Sequence, residues 1–130
     1  MIVAFEPIIQ KSATDCAVCC LAMLLGKPYP EVYQAAKAAV PTVDVKGLAN
    51  TEMIEIAQIL GAALKVIKKY ELDEDSSGIL TLDRGRRSAA HAVILFQGVI
   101  YNPADGVVYD AETFLRDRKW KRRVLLVRED

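Results

Sequence analysis

The run from Cys16 to Leu25 contains no charged residue and is apolar at nearly every position, and this restricts the fold more than any other stretch of the chain. A segment apolar along one stripe can lie on a surface, whereas one apolar all round has to be enclosed. The spacing predicts a central helix from Asp15 to Leu25, with Thr14 or Asp15 as N-cap and Gly26 as its stop. At about half the 20 or so residues needed to cross a bilayer, this helix must be covered by the rest of the protein. With 52% hydrophobic residues among 130, the chain has the material for one domain spanning residues 1–130 with its own core, and it is excluded from the disordered class.

Two further helices are predicted in the first half. One begins near Pro30, a residue that suits a first turn, and runs through Ala39 until Val40-Pro41 ends it. The other follows Gly47-Leu48, with Asn50 or Thr51 as cap and Glu52 in the first turn, and stops at Gly61; Met53, Ala57 and Leu60 form its stripe, with Ile56 beside them. The second half changes period. Leu64 to Lys68 alternates, Gly78 to Leu82 is short and apolar, and His91 to Tyr101 holds two apolar runs split by Gln97-Gly98. A short helix near Glu112 to Arg116 precedes a last strand, Arg123 to Val127. Helices first and antiparallel strands afterwards is an α+β order, with N-terminal helices packed on a C-terminal antiparallel sheet.

Seventeen Lys and Arg balance 17 Asp and Glu, so the molecule has no global field with which to gather nucleic acid or anionic membrane. Its three cysteines, Cys16, Cys19 and Cys20, are odd in number and crowded into five positions, which suits free thiols better than a disulfide framework. The N-terminal residues lack the basic segment of a signal peptide. These features read as a soluble, cytoplasmic protein. No membrane partner is expected.

Cys16 stands at the start of the central helix, where free N–H groups and the helix dipole favour a negative sulfur. An ordinary thiol of pKa about 8.5 is only about 3% ionised at pH 7, so a helix start and a neighbouring imidazolium are expected to lower it. His91 is the only histidine, and any cysteine–histidine chemistry has it as its one base. If Gln97-Gly98 is a two-residue turn, Phe96 faces Val99 and Asn102 faces Val93. His91 and Asn102 then become diagonal neighbours on one face, about 7 to 8 Å apart at the backbone, within reach of a side-chain hydrogen bond. A three-residue loop would put them on opposite faces. Gln10, six residues before Cys16, can donate its amide to an oxyanion forming at Cys16, beside the Cys16 backbone N–H.

Together, Gln10, Asp15-Cys16, His91 opening an apolar strand and Asn102-Pro103 in the next strand resemble the papain-like cysteine peptidases, most of all the double-glycine leader peptidases of bacteriocin processing and their stand-alone relatives. The stretch from Gln10 through Asp15-Cys16 to Met23 is similar to that family's nucleophile motif, Gly47-Leu48 leads into what resembles its third helix, and the likeness runs from about residue 8 to Gly106. Ala17 stands where the family usually has Gly, and Asn102 replaces the commoner Asp, as in papain itself. The resemblance implies a papain-like fold with Cys16 as nucleophile, His91 as general base and then acid, Asn102 as its orienter and Gln10 as oxyanion donor. It implies acyl transfer from a peptide or protein substrate to sulfur, followed by hydrolysis. The family's transporter members carry membrane helices and a nucleotide-binding motif that this chain lacks, so the export role is not expected here.

Two other functions use the same residues: a catalytically inactive peptide-binding module on the same fold, and a Cys-dependent deamidase or acyltransferase. No cofactor is expected. A metal site from Cys16, Cys19 and His91 lacks a fourth ligand, and Cys19 and Cys20 point about 100° apart on a helix. The basic run 116–123, with Trp120 inside it, reads as a solvated loop between the short helix and the last strand rather than a nucleic-acid site. Arg84, Arg86 and Arg87 are candidates for the rim of a cleft that takes acidic substrate residues.

Overall fold

A computed structural model describes residues 7–12, 14–72, 76–83, 91–118 and 120–129. The apolar run becomes α1 (Cys16–Leu25), in which every residue but Leu24 is buried. Gly26 ends it in the left-handed region at φ 66°, where its N–H bonds the Ala22 carbonyl. Helix α2 (Tyr29–Ala39) carries Pro30 in its first turn. A single turn, α3 (Val43–Lys46), has no counterpart among the expected helices, being too short for a periodic signal. Helix α4 (Asn50–Ile59) starts one residue earlier than the expected caps: Ala49 is its N-cap, and the Glu52 carboxylate reaches back to accept the Ala49 N–H at 2.8 Å. That back-bond anchors the helix start without a side-chain cap from Asn50 or Thr51. Met53, Ile56 and Ala57 form the buried face, with Leu60 at its margin.

The second half forms β1 (Leu64–Ile67), β2 (Ser77–Asp83), β3 (His91–Phe96), β4 (Val99–Asn102), β5 (Val107–Asp110), helix α5 (Ala111–Arg118) and β6 (Lys121–Arg128). They make one six-stranded sheet in the order β1-β6-β2-β3-β4-β5, with every pair antiparallel. The α+β expectation therefore holds. Strand β5 is an addition to the expected strands: its residues alternate poorly and three of its four are solvent-exposed, because it is an edge strand. The last strand, inserted between β1 and β2, closes the sheet across the length of the chain.

Both faces of the sheet are covered. Ile79, Ala92, Ile94 and Leu126 face α1, α2 and α4. Leu80, Leu82, Val93, Leu95 and Ile100 pack on the other side against Phe114 and Leu115 of α5. Burial on alternate faces explains why β2 and β3 read as continuous apolar runs rather than as alternation. Among the described residues no helix is long and apolar enough to cross a membrane.

Candidate active site

The β3–β4 turn decides one half of the site. Gln97 and Gly98 have φ of 50° and 86°, the paired positive values of a two-residue turn matched to strand twist. Phe96 pairs with Val99, Leu95 with Ile100 and Ile94 with Tyr101, the register expected from the sequence. His91 and Asn102 thus fall on one face, and the His91 Nε2 lies 2.8 Å from the Asn102 Oδ1. The same Oδ1 accepts the Ala104 N–H at 3.1 Å. The Ala104 N–H can only donate, which identifies the atom as the carbonyl oxygen, so in the bond to His91 it is Nε2 that carries the hydrogen, leaving Nδ1 as the basic nitrogen of the neutral ring. Asn102 is 7% exposed, which shields this bond from water.

Trp120 stacks on the His91 ring, with centroids 5.6 Å apart and planes 23° from parallel. Sequence reasoning does not find this contact, because it joins β3 to a residue just before β6 and no local pattern links them. The described residues of the run 116–123 are also mostly helix and strand rather than loop. Helix α5 continues to Arg118, whose guanidinium lies over the rings of Tyr109 and Phe114 at 4.5 and 4.4 Å, and β6 begins at Lys121. Part of its charge is thereby committed to aromatic faces within the fold. Arg84, Arg86, Arg87 and Lys119 lie outside the described residues.

Helix α1 supplies the other half. Cys16 is its first residue and is 8% exposed. The backbone N–H groups of Ala92, the position after His91, of Ala17 and of Cys16 itself draw its thiol downward. These donors favour the thiolate, yet burial is the larger effect and lifts the thiol above its ordinary value, with Asp15 adding to the rise. The expected lowering by the helix start is thus outweighed by desolvation. Burial and the Asp15 charge also push Cys19 up to about 12, and complete burial raises Cys20 further from ionisation. Cys19 and Cys20 are core residues.

Asp15 occupies the N-cap position, but its side chain accepts no capping N–H from its own helix, only the Cys19 thiol at 4.0 Å. It turns back instead, accepting the N–H groups of Lys11 at 2.9 Å and Ser12 at 3.1 Å, together with the Tyr29 hydroxyl at 2.8 Å. Gln10, in the loop so held, donates its backbone N–H to the Pro103 carbonyl at 2.9 Å and its side-chain Nε2 to the Ser12 carbonyl at 2.7 Å. Its Oε1 is buried with no hydrogen-bond partner among the described residues. The loop therefore runs from the turn after Asn102 to the start of α1.

Cys16 and His91 open on one cleft of about 730 Å³, whose far wall is formed by residues around α3 and the start of α4, including Gly47, Leu48 and Met53. Gly47, at φ 70°, lets this wall approach the loop: a Cβ there would lie 3.2 Å from the Thr14 carbonyl oxygen. The buried Cys16 and the His91 ring thus line one concave site together with Thr14, Ala17, Thr81 and Ala92.

Comparison with known proteins gives a consistent picture. The family model described as "Peptidase C39 family" matches residues 4–80, which include Gln10 and Cys16 and end before His91 and Asn102. No curated protein matches the chain. Among solved structures, the peptidase domain of Streptococcus ComA, described as a bi-functional ABC transporter of a quorum-sensing pathway, is similar over 96% of this chain and 99% of that one, at 16% identity and a TM-score of 0.68. A double-glycine motif protease from an AMS/PCAT transporter, solved with its leader peptide, is similar over 95% of this chain and 90% of that one, at 22% identity and a TM-score of 0.67. Both likenesses show the papain-like fold.

Proposed function

Since the chain belongs to the Peptidase C39 family and is a cysteine peptidase, we propose that Cys16 is its nucleophile, His91 its base, Asn102 the orienter of His91 and Gln10 an oxyanion donor. One observation carries this assignment: Cys16 and His91 share a cleft while Asn102 holds the His91 Nε2 at 2.8 Å. Because the thiol is raised by burial, the resting sulfur keeps its proton until a base takes it. His91 Nδ1 accepts that proton as Sγ attacks the substrate carbonyl, and Asn102 steadies the imidazolium through Nε2–H. The tetrahedral oxyanion is met by the Cys16 backbone N–H and by the second hydrogen of Gln10 Nε2, the first being given to Ser12. His91 returns the proton to the leaving amine. Water then attacks the thioester, with His91 again as base, and releases the acid and the free thiol.

The substrate in this reading is a peptide with a double-glycine motif, the class named for the protease solved with its leader peptide. Three neighbouring thiols with no disulfide among them fit a reducing compartment such as the cytoplasm. The test is the rate of Cys16 alkylation by iodoacetamide from pH 4 to 9, read by mass spectrometry, alongside cleavage of a peptide-Gly-Gly-coumarin amide. We expect both to collapse in His91→Ala while Cys19 and Cys20 stay unlabelled in the native protein. Alkylation unaffected by His91→Ala would remove His91 as the base. On a long peptide, two products that together gain one water mark hydrolysis, whereas a single chain heavier by about 1 Da would mark deamidation instead.

A further inference from the structure

A buried carboxylate beside a catalytic sulfur is an unexpected neighbour. Asp15 is 5% exposed, and its charge works against ionisation of both Cys16 and Cys19. If its only effect were electrostatic, the site would work better without it. Its hydrogen bonds indicate what it supplies. Three strong donors converge on the carboxylate, from Lys11, Ser12 and Tyr29, whereas the helix that Asp15 precedes offers it no capping N–H and only the long contact of the Cys19 thiol at 4.0 Å. Charge-assisted bonds of this kind are about twice as strong as neutral ones and fix direction as well as distance. The Lys11 ammonium also lies over the Tyr29 ring at 4.8 Å, so loop and helix α2 meet twice. The two ends of the same loop are tied elsewhere, Gln10 N–H to the Pro103 carbonyl and the Thr14 hydroxyl to the Asp44 carbonyl. Between those ends, the Asp15 carboxylate is what gathers the backbone inward.

We propose that Asp15 is a positioning residue: by holding the Lys11 and Ser12 amides against its carboxylate and tying them to Tyr29, it sets the loop bearing Gln10 at a fixed place relative to Cys16. The inference rests on the assignment of Cys16 and Gln10 above. It accounts for a charge that opposes the nucleophile, since the oxyanion donor would otherwise lie on a loop free to shift by an ångström or more, a displacement that can cost about 100-fold in rate.

Asp15→Asn separates the two effects, because an amide removes the charge and replaces one acceptor oxygen by a donor. We expect the pH at which Cys16 is half-alkylated by iodoacetamide to fall, while kcat on the Gly-Gly-coumarin peptide drops about 10- to 100-fold with KM changed by less than about twofold. The Lys11 and Ser12 amides should exchange hydrogen faster. A thiol that becomes more reactive in an enzyme that becomes slower is not the signature of a residue that merely supports the fold. A kcat that stays level or rises, or unchanged exchange at Lys11 and Ser12, would overturn the proposal. If Asp15→Asn does not fold, Tyr29→Phe keeps the charge and removes one donor: faster exchange at Lys11 and Ser12 with a several-fold lower kcat is expected, and unchanged exchange overturns it. Failure of the Gln10 assignment is visible separately, as a Gln10→Ala variant with wild-type kcat, since amide exchange reports on Asp15 whatever Gln10 does.

Discussion

Cys16 and His91 reach the same cleft from two regions held by different physics. The cysteine belongs to a helix enclosed on all sides, whose position is set by burial of Val18, Leu21 and their neighbours. The histidine belongs to a hairpin, where a two-residue turn fixes the register and one polar pair at 2.8 Å fixes the ring. Burial is non-directional and strong, so it holds the helix firmly while raising the thiol away from ionisation. The strands of the hairpin are buried as well, but what they add at His91 is direction, through the turn and the hydrogen bond to Asn102. Cys16 is thus held in place chiefly by burial, and the His91 ring is aimed chiefly by a turn and a hydrogen bond.

Three experiments press on that difference. Leu21→Ala empties a fully buried position in the middle of α1 and is expected to cost about 2–5 kcal/mol in urea denaturation, by lost burial plus the cavity left behind; a loss below about 1 kcal/mol would mean the helix is not held by its packing. Asn102→Ala removes the polar partner of His91, and kcat/KM on the Gly-Gly-coumarin peptide should fall about 100-fold while the urea midpoint moves much less than in Leu21→Ala. Equal damage to stability and activity would erase the contrast between the two sides. The smallest effect is expected in alkali. Cys19 is raised from 9.0 to about 12, so the unfolded chain sheds this proton at lower pH than the folded one. The stability it contributes is complete below about pH 9 and is lost as pH rises toward 12. Urea midpoints should therefore decline above about pH 9, and less steeply in Cys19→Ala; equal slopes in the two proteins would show that Cys19 is not kept neutral by its surroundings.

Much of the hairpin side is legible in the sequence. Gln97-Gly98 announces a two-residue turn, and the facing pairs follow from it by counting, which brings Asn102 to His91 through strand periodicity alone. The central helix is equally plain, since its apolar run and Gly26 give both its burial and its end. The Asp15 side chain is harder to read. Its residue type suits an N-cap, but the carboxylate turns back to the Lys11 and Ser12 amides, where a hydroxyl from Tyr29 joins them. The helix start alone argues for a lowered thiol; the amount of protein around Cys16 cannot be weighed from sequence, and burial prevails. The turn α3 escapes because a single turn carries no period, and β5 because its mostly exposed residues do not alternate.

By itself, then, the sequence determined what is settled within a dozen residues: where α1 begins and ends, the register of β3 on β4, and the pairing of His91 with Asn102. Those follow from local sterics and hydrogen-bond geometry, which short segments carry with them. The tertiary structure alone decided what depends on distant parts of the chain meeting: the insertion of β6 between β1 and β2, Trp120 on the face of His91, the Ala92 N–H at the Cys16 sulfur, and the burial that keeps that sulfur protonated. Such contacts are chosen by the competition of whole surfaces for burial, and no stretch of sequence holds both sides of that competition.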